Sequence, residues 1–255
     1  SAERITAFMQ KHQIPAHTQV DSLQVSIEQA LWDKDLTVEV EPFANMEHLL
    51  EQLNTLPSRE YSIASIPSQQ VLRLVVRQQS DAQGQLGLGS GWLTQHAALN
   101  SQIELRIRTN QSFHLINDNR PIICIGNGTG LAGLMSLLHA RTRQNYTQNW
   151  LIFGERQREH DFFYQSTIEA WQTTGMLQRL DLAFSRDQEE KVYVHYKLRE
   201  QAQELKAWVD NGAVIYVCGS INGMASDVDQ ALIDILGEAT VDQLRQQGCY
   251  RRDVY

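Results

Sequence analysis

The chain has 255 residues, 42% of them hydrophobic and 20% charged, with a formal net charge of −8; that suits two domains, or one large one, around an ample core. The acidic balance argues against nucleic acid or an anionic membrane as the default partner; an acidic face suits a basic redox partner, and plain solubility accounts for −8 equally well. No apolar stretch approaches the ~18 residues of a membrane span and no charged-then-apolar leader opens the chain, so the expectation is a soluble, cytoplasmic module, or the soluble part of a larger protein, with no direct membrane insertion from this chain.

Residues 1–56 read mainly as a helical segment. Ile5, Phe8 and Met9 recur at helical spacing, as do Leu23, Ile27, Ala30 and Leu31, and then Met46, Leu49, Leu50 and Leu53. Pro15, Pro42 and Pro57 punctuate these runs. From 57 to 118 the texture turns to strands, expected at 61–66, 71–77 and 103–108, the last two alternating apolar and polar. From 119 to 255 short apolar strands alternate with helices: strands at 121–126, 149–154, 177–184 and 213–218, helices at 131–139, 161–171, 201–209, 224–236 and 241–246. That alternation indicates an α/β, doubly wound parallel sheet. The middle segment is then an antiparallel sheet or part of a barrel.

Several loops carry residues suited to chemistry. Gly126-Asn-Gly128-Thr129-Gly130-Leu-Ala-Gly133 lies between a strand and a helix. Glycines there let backbone N–H groups approach a pyrophosphate, and the helix N-terminus adds favourable partial charge; the plain alternative is a tight glycine turn without a ligand. A simple Rossmann reading uses Glu155, after the next strand, to hold an NAD ribose, and that carboxylate would repel a 2′-phosphate. Against it stand Ser185, Arg186, Lys191 and Tyr193, one loop whose hydroxyl, cations and ring can clamp a phosphate and stack an adenine. A solvated charged turn is the plainer reading of the charges alone. Arg59-Glu-Tyr61-Ser62-Ile-Ala-Ser65 opens a strand with a cation, a ring and two hydroxyls, and Gly87-Leu88-Gly89-Ser90 is a second phosphate-nest candidate or an ordinary hairpin loop.

Cys124, Cys218 and Cys249 are odd in number and widely spaced, with no CxxC, and the eight histidines show no HExxH. This argues for a reducing compartment and against a disulfide framework or a zinc site. Cys218 ends an apolar strand, where a buried thiol is usually inert, but strand C-termini of a doubly wound sheet face the ligand crevice. The chain ends Asp253-Val254-Tyr255. A terminal ring two residues after a carboxylate can cover a flat ligand and uncover it again; an edge strand that happens to end in Tyr is the alternative.

Taken together, these blocks resemble the C-terminal FAD/NADPH module of the diflavin reductases, within the ferredoxin–NADP⁺ reductase family, from about residue 20 to the end. Arg59-x-Tyr61-Ser62-x-x-Ser65 resembles the family's FAD motif, which implies Arg59 on the FAD pyrophosphate, Tyr61 on the flavin and Ser62 near N5. Gly87 to Ser90 resembles the second FAD-phosphate loop, and Gly126 to Gly130 with Ala132 the NADP(H) pyrophosphate loop. Phe153-Gly154 with Asp161 to Tyr164 matches a further block. Ser185, Arg186, Lys191 and Tyr193 resemble the 2′-phosphate site, Cys218-Gly219 with Met224-Ala225 the nicotinamide-side loop, and Asp253 to Tyr255 the flavin-shielding terminus. Asn127, Gly133, Leu134, His195 and Ser220 depart from the usual pattern.

The resemblance implies a doubly wound NADP(H)-binding domain preceded by an incomplete antiparallel β-barrel FAD domain with a short helical connecting segment. It implies hydride transfer from NADPH to FAD N5, assisted by Ser62, Cys218 and Asp253 and gated by Tyr255. Electrons would then pass singly to an FMN-binding flavodoxin-like domain, a haem or an iron acceptor. Two alternatives stand beside it: an NAD-dependent Rossmann dehydrogenase using Glu155, and a degenerate nucleotide-binding module lacking flavin.

Overall fold

The computed structural model describes residues 2–255, so the first residue of the expected helical segment lies outside it. Two compact units interleave along the chain. One takes the residues through Glu60 together with Gln78–Ala97, the other Tyr61–Arg77 together with Ala98–Tyr255.

In the first unit, helix α1 (Ala2–Lys11) is followed by a two-residue antiparallel hairpin, β1 (Gln19–Val20) and β2 (Val25–Ser26), and by helices α2 (Ile27–Ala30), α3 (Met46–Gln52) and α4 (Leu88–Gly91). Ile5, Phe8, Val20, Ile27, Leu31, Leu49 and Leu53 make its core. Caps set the helix starts: Ser26 and Gln29 exchange reciprocal bonds at α2, and Asn45 Oδ1 accepts from His48 N at 2.9 Å at α3. Leu23, expected on a helix with Ile27, instead sits in the hairpin turn and is 56% exposed.

The second unit is built on a parallel sheet. Its strands are β3 (Ile122–Asn127), β4 (Asn149–Glu155), β5 (Arg179–Phe184), β6 (Val214–Gly219) and β7 (Tyr250–Val254), in the order β5-β4-β3-β6-β7. Every pairing is parallel. Helices α5 (Leu131–Arg143), α6 (Arg158–Asp161), α7 (Gln165–Thr173), α8 (Val194–Glu200), α9 (Ala202–Asp210), α10 (Ser226–Leu236) and α11 (Glu238–Gln246) connect them. Ile122 to Ile125 and Val214 to Cys218 are buried on both strand faces, as a parallel strand between helix layers requires. Each such side chain contributes roughly 1.5–3 kcal/mol of burial. From β3 the chain runs to one side through β4 and β5, and to the other through β6 and β7. The β3/β6 boundary is therefore the switch point, where an open α/β sheet leaves a crevice beyond its strand C-termini. Register sets Gly126 opposite Cys218 and Cys218 opposite Asp253, at the crevice end of three adjacent strands.

The strands expected at 61–66, 71–77 and 103–108 do not form. The first two share only the isolated bridge Ile63↔Leu74, with Ala64 N donating to Arg73 O at 2.8 Å. A tight turn at Pro67–Gln69 and a left-handed Gln70 (φ 56°) reverse the chain before a ladder can extend. Along 103–108 the alternation is real, but Ile103, Leu105 and Ile107 are exposed. A periodic pattern supplies one face of a sheet, and a strand also needs a neighbour for its backbone groups. Among the described residues the antiparallel pairing is that of β1–β2 and the isolated bridges, which is only part of what the expected barrel portion would contain.

Candidate functional site

β3 runs straight into the Gly128–Gly130 turn and then into α5. A Cβ at Gly126 or Gly130 would lie 2.6 or 2.3 Å from the Cys218 carbonyl oxygen, so both positions exclude any side chain. Gly128 takes the left-handed φ of +57° that glycine accepts without strain. The backbone between the ends of β3 and β6 is thereby packed against itself, ahead of the positive end of a 13-residue helix. Asn127, where the related motif often has proline, uses its Oδ1 to accept from Ser220 N at 3.0 Å. Gly133 opens space beside Cys218: a Cβ there would come within 3.1 Å of the sulfur and 3.7 Å of Ser62 Cβ.

Beyond that space lies a polar cluster. Ser62 Oγ donates to Asp253 Oδ2 at 3.1 Å, Cys218 Sγ donates to the same oxygen at 3.8 Å, and Asn110 Nδ2 donates to Asp253 Oδ1 at 3.0 Å. Three of the predicted catalytic residues therefore meet on one carboxylate, while Asn110 escaped the sequence reading because nothing local marks it. Burial, reinforced by the charge of Asp253, pushes the Cys218 thiol well above its usual range. It is a neutral hydrogen-bond donor at physiological pH rather than a thiolate nucleophile. Tyr255 continues from β7: its N–H donates to Gly219 O at 3.1 Å and its carbonyl accepts from Ile221 N at 3.0 Å. The ring is 55% exposed, and its hydroxyl shares a 3.3 Å hydrogen bond with Thr129 Oγ1 of the glycine turn. Burial of the hydroxyl end raises the phenol pKa, and the Thr129 bond opposes that shift.

A second cluster follows β5. Ser185 N donates to Glu155 O at 2.9 Å and Arg186 N to Arg156 O at 2.8 Å, carrying the β5–β4 pairing one step past the sheet. Arg186 and Lys191 are exposed, and Tyr193 is 42% exposed with its ring stacked on His195 and Tyr196 at centroid distances of 5.9 and 6.3 Å. Asp187 Oδ2 accepts from Arg158 N at 3.1 Å and Gln188 Nε2 donates to Phe184 O at 2.7 Å, so these two shape the loop. Asp227 lies 3.6 Å from His195 Nδ1, although burial, the larger influence, holds the imidazole pKa below its usual value.

Glu155 is buried, pairs with Arg77 and accepts from Arg156 N at 2.6 Å through its other oxygen. The carboxylate a plain NAD-dependent Rossmann enzyme would present to a ribose is already engaged. Ser65 Oγ donates to Val71 O at 2.7 Å and accepts from Arg73 N at 3.0 Å, closing its own loop. Tyr61 is half-buried. Arg59 and Gly87 to Ser90 belong to the first unit. There Arg59 is exposed and donates to Pro57 O at 2.9 Å, and Ser90 Oγ accepts from Gln79 N at 3.0 Å. All three cysteines are buried free thiols. Among the described residues no group of three or more His, Cys, Asp or Glu is arranged to hold a metal ion, and no helix is long and apolar enough to cross a membrane.

Residues 124–230 match the oxidoreductase NAD-binding domain family. The chain is 38% identical over 228 residues to the sulfite reductase [NADPH] flavoprotein alpha-component of Yersinia enterocolitica, covering 83% of this chain and 38% of that protein. It is 37% identical over 226 residues to the proteins of the same name from Neisseria meningitidis, with 82% and 37% covered, and Photorhabdus laumondii, with 82% and 38% covered. The chain thus spans about two fifths of the length of these relatives, with 38% of the first covered. Residues 124–230 thus match an oxidoreductase NAD-binding domain, and over most of its length the chain is similar to sulfite reductase flavoproteins, in keeping with its resemblance to the diflavin reductases of the ferredoxin–NADP⁺ reductase family.

Proposed function

We propose that this chain is an NADPH-oxidising, FAD-binding reductase module that feeds electrons to a one-electron acceptor. The observation that carries the reading is the convergence of Ser62, Cys218 and Asp253 at the switch point, beneath a half-exposed Tyr255 that touches the glycine turn. A nicotinamide seated there would meet a carboxylate able to offset developing positive charge, and two donors that hold that carboxylate in place. When bound, FAD supplies hydride acceptance and single-electron delivery, the chemistry no side chain provides. Arg59, Tyr61, Ser62, Ser65 and Gly87-Leu88-Gly89-Ser90 are the residues assigned to it. Gly128, Thr129 and Gly130 would take the NADPH pyrophosphate, and Ser185, Arg186, Lys191 and Tyr193 the 2′-phosphate and adenine. Exposure of Arg186, Lys191 and the Tyr193 ring supports that part. Tyr255 would shield the flavin until the nicotinamide displaces it.

The relatives are named sulfite reductase [NADPH] flavoprotein components, which supports a flavin-carried path from NADPH; the acceptor proposed for it is an FMN domain, a haem or an iron centre. A second reading, a nucleotide-binding module without flavin, is favoured by one observation: the segments 61–66, 71–77 and 103–108 lack a continuous ladder. The test is NADPH oxidation by the chain reconstituted with FAD, using ferricyanide as acceptor. Turnover with NADPH and little with NADH supports the reductase; NADP⁺ binding without flavin uptake supports the second reading.

A further inference from the structure

Among the described residues, two side-chain hydrogen bonds leave the glycine turn for the ends of β6 and β7. One runs through the Tyr255 ring, whose hydroxyl meets Thr129 Oγ1 at 3.3 Å. The other belongs to Asn127, the last residue of β3, whose Oδ1 accepts from Ser220 N at 3.0 Å. The orientation of that amide is fixed, because a backbone N–H only donates and so must face the oxygen. Gly219 admits the approach: a Cβ there would lie 2.3 Å from Asn127 Oδ1. The next N–H, on Ile221, donates to Tyr255 O at 3.0 Å, and Tyr255 N donates to Gly219 O at 3.1 Å. Residues 219–221 are therefore pinned on the sheet side by the main chain of Tyr255 and on the turn side by one amide. Beyond them the backbone leaves helical geometry at Asn222 and Gly223, and Ile221 is half exposed. A loop of this kind stays in place only as well as its first residues are held.

We infer that Asn127 is a positioning residue for the nicotinamide half of the coenzyme: it holds residues 219–221 against the glycine turn and keeps them there when the Tyr255 ring leaves. The inference deepens the proposed NADPH reading and rests on it for where the nicotinamide sits. Displacing the ring breaks the Thr129 hydrogen bond, whereas the Asn127 bond does not involve the ring. Cys218 and Asp253 are partners in the β6–β7 register, and Gly219 with Val254 is the next pair. A chain that lifts at Ser220 therefore disturbs the end of the strand pair that carries the thiol and the carboxylate. The proline often found at this position in the related motif has no side-chain acceptor, so it cannot make this bond. Asn127 acts through backbone and touches no reacting atom.

Amide hydrogen exchange in the flavin-free chain and steady-state kinetics in the FAD-loaded chain test this together. With Asn127→Ala the Ser220 amide should exchange about 10-fold faster, the loss of one hydrogen bond. The amides of Ile123 in β3 and Val217 in β6 should keep their protection and report an intact fold. The kcat for NADPH should fall about 10-fold, a modest case of reactant misplacement, with NADP⁺ affinity within about twofold. Asn127→Asp keeps the acceptor, so slow Ser220 exchange and a kcat within about threefold are expected. Because kcat is read at saturating NADPH, repulsion between the new carboxylate and the phosphates falls on KM. Should Asn127→Ala lose the β3 and β6 protection, Asn127→Ser, one bond shorter, is measured in its place. Unchanged Ser220 exchange without the amide overturns the inference. An equal kcat loss in Asn127→Asp also overturns it, since the acceptor would then not be the cause. An NADP⁺ affinity that falls as far as kcat does so too, because Asn127 would then belong to the binding surface. If the unsubstituted chain leaves FAD unreduced by NADPH, the reductase reading falls and takes the positioning role with it, whatever the exchange shows.

Discussion

Ser62 and Asp253 lie 191 positions apart in sequence, and Ser62 Oγ donates to the Asp253 carboxylate at 3.1 Å. That contact links an irregular segment to the last strand of the parallel sheet, and Cys218 and Asn110 complete the shell around the same carboxylate. Asp253 is therefore the residue whose removal should separate chemistry from binding. With Asp253→Ala, kcat for NADPH oxidation should fall about 10²-fold, the scale of losing one electrostatic stabiliser, while NADP⁺ affinity changes little. Steady-state kinetics beside equilibrium NADP⁺ binding checks the split.

The charged loop after β5 should decide between coenzymes. Ser185→Ala and Arg186→Ala should each weaken NADP⁺ by about 1–3 kcal/mol per charged hydrogen bond lost and leave NAD⁺ nearly unchanged. Titration calorimetry with both nucleotides provides the comparison, and equal losses would remove those residues from the phosphate site.

Packing at Gly130 predicts a sharp contrast with another glycine. A Cβ at 130 meets the Cys218 carbonyl at 2.3 Å, whereas Gly212 has open space and only a positive φ of 80°. Gly130→Ala should cost about 1–3 kcal/mol through overpacking and disturb the turn. Gly212→Ala should cost about 1–2 kcal/mol through left-handed strain alone. Urea unfolding and NADP⁺ binding together check this: only the first variant should lose affinity.

Alkaline pH should destabilise the chain. Burial pushes the Cys124 thiol up to about 12, and raises Cys218 and Tyr250 as well. These groups stay protonated in the fold while the unfolded chain releases their protons, so stability is fully present below the unfolded thiol pKa and falls as pH rises beyond it. Each raised thiol contributes a slope approaching about 1.4 kcal/mol per pH unit above about pH 9. Unfolding midpoints from pH 7 to 10.5 in the unsubstituted chain and in Cys124→Ala should show a shallower decline for the variant.

The second unit was legible because burial on both faces leaves uninterrupted apolar runs: Ile122 to Ile125 and Val214 to Cys218 announce parallel strands without any knowledge of partners. The glycines of the turn after β3 were legible for a similar reason, since close backbone approach admits no other residue at 126 and 130. The alternating segment 103–108 misled because its pattern states only which side chains share a face. Helix α8 (Val194–Glu200) was missed: its Tyr193-Val-His-Tyr start has a strand-like composition, and tertiary burial of Val194 and Leu198 overrides it. Neither Asn110 on Asp253 nor Arg77 on Glu155 leaves a local trace, since each pair exists only after the chain folds.

Tyr255 should behave as a movable cover. Deleting it or changing it to Ala should tighten NADP⁺ binding and relax discrimination against NADH, because a competing occupant of the nicotinamide position has gone. Constants that do not move would reduce the ring to the end of β7.

Anaerobic mixing of the FAD-loaded chain with NADPH, followed at the oxidised-flavin band near ~450 nm, tests the central claim most directly. Rapid bleaching with NADPH, much slower bleaching with NADH, and loss of the NADPH phase in Asp253→Ala are the predicted results. A flavin that stays oxidised, or bleaches equally fast with both coenzymes, would contradict an NADPH-oxidising module.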